Sequence, residues 1–274
     1  MSAAQSGRLD VVGLGPGPER WITPEASEAL SFATDVIGYL AYTARLSPRV
    51  GQTIHGSDNG DELMRARHAL SLAQEGRRVA VVSGGDPGVF AMASAVFEAI
   101  ERGPVAWRAL DVRVLPGVTA MLAAAARLGA PLGNDFCTIN LSDNLKPWSV
   151  IETRLALAAQ ADFVIALYNP ASQARPEQVV RAFSLLRAHR AASTVVVFAK
   201  AIGRPDEEVH VTTLGAADPK RADMRTLLLI GASGTRVIER AQETVREQTA
   251  PWVYTPRYVE AGGSCAGEPP KEGP

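Results

Sequence analysis

The chain has 274 residues, 46% of them hydrophobic and 21% charged, with a formal net charge of −1. This is an ordinary composition for one large or two modest globular domains, and the balanced charge offers no basic field for nucleic acid. Its two cysteines, Cys137 and Cys265, cannot build a disulfide framework and form no zinc-ligand pattern, which points to a reducing cytoplasm and no bound metal.

The opening MSAAQSGRLDVV holds no long apolar segment, so neither a signal peptide nor a membrane span is expected. LDVVGL (9–14) reads as a first strand. Thr23-Pro24-Glu25 then supplies an N-cap, a first-turn proline and a first-turn acid. Ala26, Leu30 and Ala33 give that helix its apolar stripe, and DVIGYL follows as a strand. Residues 61–75 carry Leu63, Ala66, Leu70 and Ala73 on one helical face. Gly76 ends that helix, and RVAVVS is the next strand. Val89, Met92, Val96 and Ile100 mark a helix directly after the glycine turn SGGDPG, and DVRVLPG is a further strand.

In the second half FCTINLS (136–142) reads as extended and a helix is expected near 148–160. ADFVIALYNP (161–170) reads as a buried strand, with a helix from Pro176 to about Arg190. STVVVFAK, EEVHVTTL and RTLLLIGA read as strands. The alternation predicts an α/β protein with domains at 8–120 and 121–260. The tail 261–274, AGGSCAGEPPKEGP, has too few apolar residues to fold.

The strand ends carry the unusual chemistry. Gly13-Leu14-Gly15-Pro16-Gly17 stands where a dinucleotide fingerprint would, but its sixth position is Pro18, and Pro16 cannot donate an N–H to a phosphate. No Lys-Ser/Thr follows, which excludes a P-loop. Further special turns occur at Gly84–Gly88, Pro116–Ala120, Tyr168–Pro170 and Gly231–Ser233. In open α/β folds ligands sit beyond the carboxyl ends of strands. Convergence of these turns would build a pocket with close backbone approach and little fixed charge, suited to a neutral or cationic nucleoside rather than a triphosphate. Asp86 reads either as an acceptor for a ligand hydroxyl or amino group, or as the cap of a helix starting near Gly88.

GLGPG, SGGDPGVF, PGVTA and LYNP, in this order within residues 9–260, resemble the tetrapyrrole methylases, which transfer methyl groups from S-adenosylmethionine to uroporphyrinogen III and cobalamin precursors. SDNLKPWSVIETRL (142–155), GDELMRARHALSLAQEGRRVAVVSGGDPGVFAMAS and the ending GASGTR…YTPRYVE are similar to the ring-contracting C-17 branch of that family. One departure is Arg257-Tyr258, where the family commonly has an intervening glycine.

The resemblance implies two αβα domains with a cleft between them, a homodimer, S-adenosyl-L-methionine as cofactor and a tetrapyrrole as substrate. It also implies cofactor contacts at Pro16, Gly84, Gly85, Asp86, Thr119, Ala120, Asn169 and Thr212. Among these, Pro16 would be a pocket wall, Asp86 would lie near the methionine or ribose part, and Thr212 near the adenine.

Methyl transfer to an electron-rich carbon needs mainly orientation, whereas ring contraction needs a proton acceptor in reach. Asp143, His55 and Asp58 are the candidate bases, although each also reads as a turn, cap or solvated-loop residue. Lys146, Arg236 and Arg257 are the candidate partners for substrate carboxylates. His68, His189 and Cys137 read as structural. Alternative readings are a cobalt-containing substrate, diphthine synthesis (opposed by the 142–155 stretch), a non-catalytic tetrapyrrole carrier, and a nicotinamide oxidoreductase weakened by the broken fingerprint.

Overall fold

A computed structural model describes residues 7–58, 60–172, 174–240 and 250–258; the tail 261–274 lies outside the described residues. The chain separates into two compact units, Met1–Ala123 and Ala124–Pro274.

The first unit runs β1 (Arg8–Gly13), α1 (Pro24–Phe32), β2 (Asp35–Tyr39), α2 (Leu40–Thr43), β3 (Thr53–Ser57), α3 (Glu62–Gln74), β4 (Arg78–Ser83), α4 (Met92–Arg102) and β5 (Asp111–Leu115), and α5 (Ala120–Leu128) crosses the division. Its sheet has the order β3-β2-β4-β1-β5, with every pairing parallel. Central parallel strands are covered on both faces, so β4 appears as a continuous apolar run and β1 as one broken only by Asp10. Ala26 and Ala29 of α1 pack with Val12, Val36 and Val82 on one face. Ala66 and Leu70 of α3, with Met92 and Val96 of α4, pack with Leu9, Val11 and Val81 on the other. Thus β1 sends the chain to one face and its neighbour β4 sends it to the opposite face. That reversal is a topological switch point, where α/β sheets open a crevice at their carboxyl edge.

Local signals hold where the side chains are short-range devices. The Thr23 hydroxyl accepts the Ala26 N–H at 3.2 Å and Pro24 opens α1. Three expectations need correction. First, residues 53–57 form an edge strand, so His55 is not a loop residue; its half-exposed polar sequence shows no apolar run. Second, α4 begins at Met92, whose N–H donates to the buried Ser83 hydroxyl at 3.3 Å. Asp86 therefore caps no helix. Third, α5 starts at Ala120, the last residue of PGVTA, in a region read only as a boundary.

The second unit runs β6 (Gly129–Ala130), β7 (Phe136–Asn140), α6 (Trp148–Gln160), β8 (Val164–Tyr168), α7 (Gln178–His189), β9 (Val195–Lys200), β10 (Glu208–Thr213), β11 (Thr226–Ile230), β12 (Arg236–Ile238) and β13 (Trp252–Tyr254). Its main sheet has the order β10-β9-β11-β8-β7, and only β7 and β8 pair in parallel. Ile151 and Leu155 of α6 and Phe183 and Leu186 of α7 pack on Ile165, Leu167, Phe198 and Leu228. Because β11 runs antiparallel to β8, with Ile230 opposite Ile165, the turn Gly231–Ser233 sits at the amino edge of β8. It does not join Tyr168–Pro170 at the carboxyl edge, contrary to the expected convergence; an apolar run does not reveal strand direction. β12, β13 and β6 form a small separate sheet. Among the described residues no helix is long and apolar enough to cross a membrane.

Candidate active site

In the first unit the turns after β1, β4 and β5 meet at the switch point. The Leu14 N–H donates to the Ser83 carbonyl at 2.9 Å, and Gly15 and Gly85 exchange backbone bonds at 3.1 and 3.0 Å. Both glycines lie in the left-handed region, with φ of 65° and 72°, which costs them no Cβ clash. The third turn closes on these two. A Cβ on Gly117 would stand 2.3 Å from the Gly85 carbonyl oxygen and 2.9 Å from the Gly13 Cα. Three backbones are thus in mutual contact, and side chains are excluded from the junction.

Asp86 locks the arrangement. Its Oδ1 accepts the Gly88 N–H at 2.8 Å and its Oδ2 accepts the Gly117 N–H at 3.0 Å. A carboxylate bound by backbone N–H groups is a strong acceptor pair, and here one member lies in its own turn and the other in the turn after β5. Thr119 is buried, and a Cβ on Gly85 would lie 3.6 Å from its Cα. Pro16, Gly84, Gly85, Asp86, Thr119 and Ala120 are therefore gathered at one edge of one sheet. The glycine density of SGGDPG has separate local causes. Gly85 needs its backbone angle, while a Cβ on Gly84 would press 2.7 Å from the Tyr42 ring.

The Pro16 turn has a distinctive polarity. Arg45 donates to the carbonyls of Gly15 and Leu14 at 3.0 Å each and to that of Gly17 at 2.7 Å. The Leu14 and Gly15 N–H groups are committed to β4 and its turn, and Pro16 and Pro18 have none. A turn that faces its carbonyls to an internal cation and has spent these donors cannot cradle a pyrophosphate. The nicotinamide reading loses its phosphate site.

In the second unit the carboxyl ends of β7 and β8 are tied by side chains. The Asn140 Oδ1 accepts the Ser142 N–H at 2.9 Å and the Asn169 Nδ2 at 3.1 Å. Asn169 is left-handed, with φ of 51°, a conformation asparagine tolerates better than most residues. Beyond Ser142 the loop carries Asp143, whose Oδ2 accepts from Gln178 Nε2 at 3.0 Å, and Lys146, whose Nζ donates to the Ser142 carbonyl at 3.2 Å. Burial lowers the Lys146 ammonium pKa, aided by Arg154 and opposed by Asp143. Asp143, Lys146 and Asn169 thus share one edge.

Thr212 does not share it. Thr212 pairs with Val196, Val196 with Ile230, and Ile230 with Ile165, so Thr212 stands about 20 Å from Asn169 by strand geometry. Ala201, at the end of β9 on the Asn169 edge, is a residue that sequence reasoning misses. It is buried and left-handed, with φ of 52°, a conformation that normally signals itself through glycine.

The remaining candidates are dispersed. The His55 ring pairs through Nε2 with Asp35 Oδ1 at 2.8 Å, and fully buried Asp35 also takes Arg77 and the Thr34 hydroxyl, each at 2.7 Å. His68 packs edge-on against His55 at 4.9 Å. Asp35 opens β2, so His55 is turned toward the amino edge, away from the three turns. As a correction, it belongs to a hydrogen-bonded cluster around buried Asp35, not to a solvated loop. Asp58 is exposed beyond the edge strand β3, and its carbonyl accepts from Arg65 at 2.7 Å.

Arg236 lies exposed on β12, and a hydrogen bond with Tyr254 raises its pKa. Arg257 is exposed. Burial pushes the Cys137 thiol up, with Arg190 opposing, which makes it a poor nucleophile. His189 is an exposed residue of the last turn of α7.

Residues 8–218 match the family described as Tetrapyrrole (Corrin/Porphyrin) Methylases. The chain is 54% identical over 259 residues to a precorrin-3B C(17)-methyltransferase of Sinorhizobium sp, covering 94% of this chain and 99% of that one. It is 43% identical over 242 residues to a probable cobalt-factor III C(17)-methyltransferase of Salmonella typhimurium, covering 88% and 99% of the two chains. The fold matches the crystal structure of the methyltransferase CobJ with a TM-score of 0.85 at 52% identity, over 92% of this chain and 100% of that chain. With its glycine turns joined at the switch point of a matching fold, the chain belongs to the tetrapyrrole (corrin/porphyrin) methylases.

Proposed function

We propose that this chain is a cytoplasmic S-adenosylmethionine-dependent C-methyltransferase that methylates C-17 of precorrin-3B, with ring contraction to precorrin-4, in cobalamin biosynthesis. The observation that carries the reading is the junction of the three turns, which offers close backbone approach without an anion cradle. Higher identity to the precorrin-3B enzyme than to the cobalt-factor III enzyme favours the metal-free substrate.

The residues fit the cofactor on their own chemistry. Pro16 offers an apolar wall, Gly84 and Gly85 offer bare backbone, and Asp86 retains acceptor capacity beyond its two internal bonds. Thr119 and Ala120 complete the set in the first unit, and Asn169 is the proposed contact from the second; Thr212, about 20 Å from Asn169 by strand geometry, is not carried forward. When bound, S-adenosylmethionine supplies an activated methyl group. The chain's work in that step is to hold donor and acceptor carbon in line and to exclude water. Lys146, Arg236 and Arg257 are the proposed partners for substrate carboxylates, and a homodimer is the proposed assembly.

Contraction needs a base, and Asp143 is the proposed one because its carboxylate is held by the Gln178 amide on the edge it shares with Asn169. His55 is disfavoured by its place, turned toward Asp35 at the amino edge of its sheet and away from the glycine turns, and Asp58 is retained only as a comparison. Asp143→Asn keeps the shape and removes the basicity. The expected outcome is continued consumption of S-adenosylmethionine with accumulation of a methylated, uncontracted tetrapyrrole, read by mass spectrometry and absorption spectra after incubation with precorrin-3B. Fully contracted product at the wild-type rate would remove Asp143 from the mechanism. The overall reading is tested by titrating the pure protein with S-adenosylhomocysteine and with NADPH. Binding of the first alone is expected, and binding of the second alone would overturn the methyltransferase assignment.

A further inference from the structure

Arg45 lies outside every glycine turn, yet it reaches farther into the site's construction than any turn residue except Asp86. Its guanidinium gathers the carbonyls of Leu14, Gly15 and Gly17 around one cation, so these carbonyls turn inward and Pro16, between them, is fixed at the tip. The same short segment supplies Tyr42, whose ring lies where a Cβ on Gly84 would be. Arg45 and Tyr42 are joined through the Arg45 N–H, which donates to the Tyr42 carbonyl at 3.1 Å. One turn of chain after β2 thus supports both the Pro16 turn and the Gly84 turn from behind.

Resting on the cofactor reading above, we propose that Arg45 is a positioning residue for the methyl donor: it sets the conformation of the Pro16 turn, and through it the affinity for the cofactor. Five residues with two prolines and two bonded N–H groups have few internal ways to hold a shape, and carbonyls crowded on one side repel one another unless a cation neutralises them. A planar guanidinium supplies several donors in a fixed fork, and two of its nitrogens are used here. A lysine ammonium is a point charge on a flexible stem and cannot reproduce that spacing. The turn's carbonyls would otherwise rotate outward, where they would meet the ligand or water.

The test is calorimetric titration of S-adenosylhomocysteine into wild type, Arg45→Met, Arg45→Lys and a control, Arg77→Gln. The control removes the Arg77 partner of Asp35 at the opposite edge of the same sheet. It therefore lowers the melting temperature without touching the turns. A displacement of the order of 1 Å at a positioning element weakens function by up to about 100-fold. Accordingly the Kd of Arg45→Met should rise about 10- to 100-fold, with Arg45→Lys between it and wild type, while Arg77→Gln keeps the wild-type Kd despite a lower melting temperature.

If Arg45→Met does not fold, a raised Kd in folded Arg45→Lys carries the same expectation, and an unchanged one overturns it. Wild-type affinity in Arg45→Met, or an equal loss in Arg77→Gln showing that affinity merely tracks stability, overturns the proposal and leaves the cofactor reading intact. Failure of the wild-type protein to bind S-adenosylhomocysteine overturns both.

Discussion

Asp86→Ala should lose both stability and S-adenosylhomocysteine binding. The sequence alone leaves the acid in SGGDPG as either a ligand acceptor or a helix cap, and its removal is then expected to weaken cofactor binding more than folding. The structure adds two internal bonds, to the N–H groups of Gly88 and Gly117. Hydrogen bonds to a charged group contribute about 1.5–3 kcal/mol each, so with solvent partly compensating at a half-buried site the expected loss is about 2–4 kcal/mol. That is within the stability of an ordinary domain, so a folded mutant should still be obtained.

Asn is not a conservative replacement here. Both partners are donors, and an amide can offer an acceptor to only one while turning its own NH₂ toward the other. Asp86→Asn should therefore resemble Asp86→Ala more closely than wild type. Denaturant unfolding and calorimetry on the same preparations check both halves. A mutant that keeps wild-type stability and loses binding would return Asp86 to a purely ligand-facing role. One that loses stability but keeps its affinity would make it purely structural.

The first unit's strands were legible because a central parallel sheet writes itself as apolar runs, as in Val79–Val82. The cap at Thr23 and the glycine turns were legible because each is a local device whose residues are adjacent in the chain. β3 was not, because an edge strand half in solvent, TIHGS, needs no apolar run. The direction of β11 was not legible either, and that hid the separation of Gly231 from Tyr168. The site residues divide on the same principle. Gly84, Gly85 and Asp86 announce themselves in sequence.

Arg45 acts on carbonyls some thirty residues earlier through a side chain that any surface helix could carry. Ala201 holds a left-handed backbone without the glycine that would have signalled it. Sequence reasoning reads residue types that a conformation demands, and it is blind where a tertiary contact imposes the conformation on an ordinary residue.

The severest single-methyl test of the junction is Gly117→Ala. The new Cβ would lie 2.3 Å from the Gly85 carbonyl oxygen and 2.9 Å from both the Gly13 carbonyl carbon and Cα. All of these are backbone atoms, so no side chain can swing aside. The PGVTA turn must retreat, and in retreating it breaks the Gly117 N–H bond to Asp86 at 3.0 Å. Overpacking of this kind costs about 1–3 kcal/mol, and loss of the charged hydrogen bond adds to it, giving about 3–5 kcal/mol in all. Thr119 and Ala120 move with the turn, so S-adenosylhomocysteine binding should fall below detection.

Gly51→Ala provides the comparison. Gly51 has a φ of 81°, but a Cβ there meets nothing within 4 Å, so backbone strain alone should cost about 1–2 kcal/mol and leave binding untouched. Urea unfolding and calorimetry would report both variants. If Gly117→Ala melts and binds like wild type, the three turns are not in backbone contact, and the junction cannot be the element that shapes the pocket.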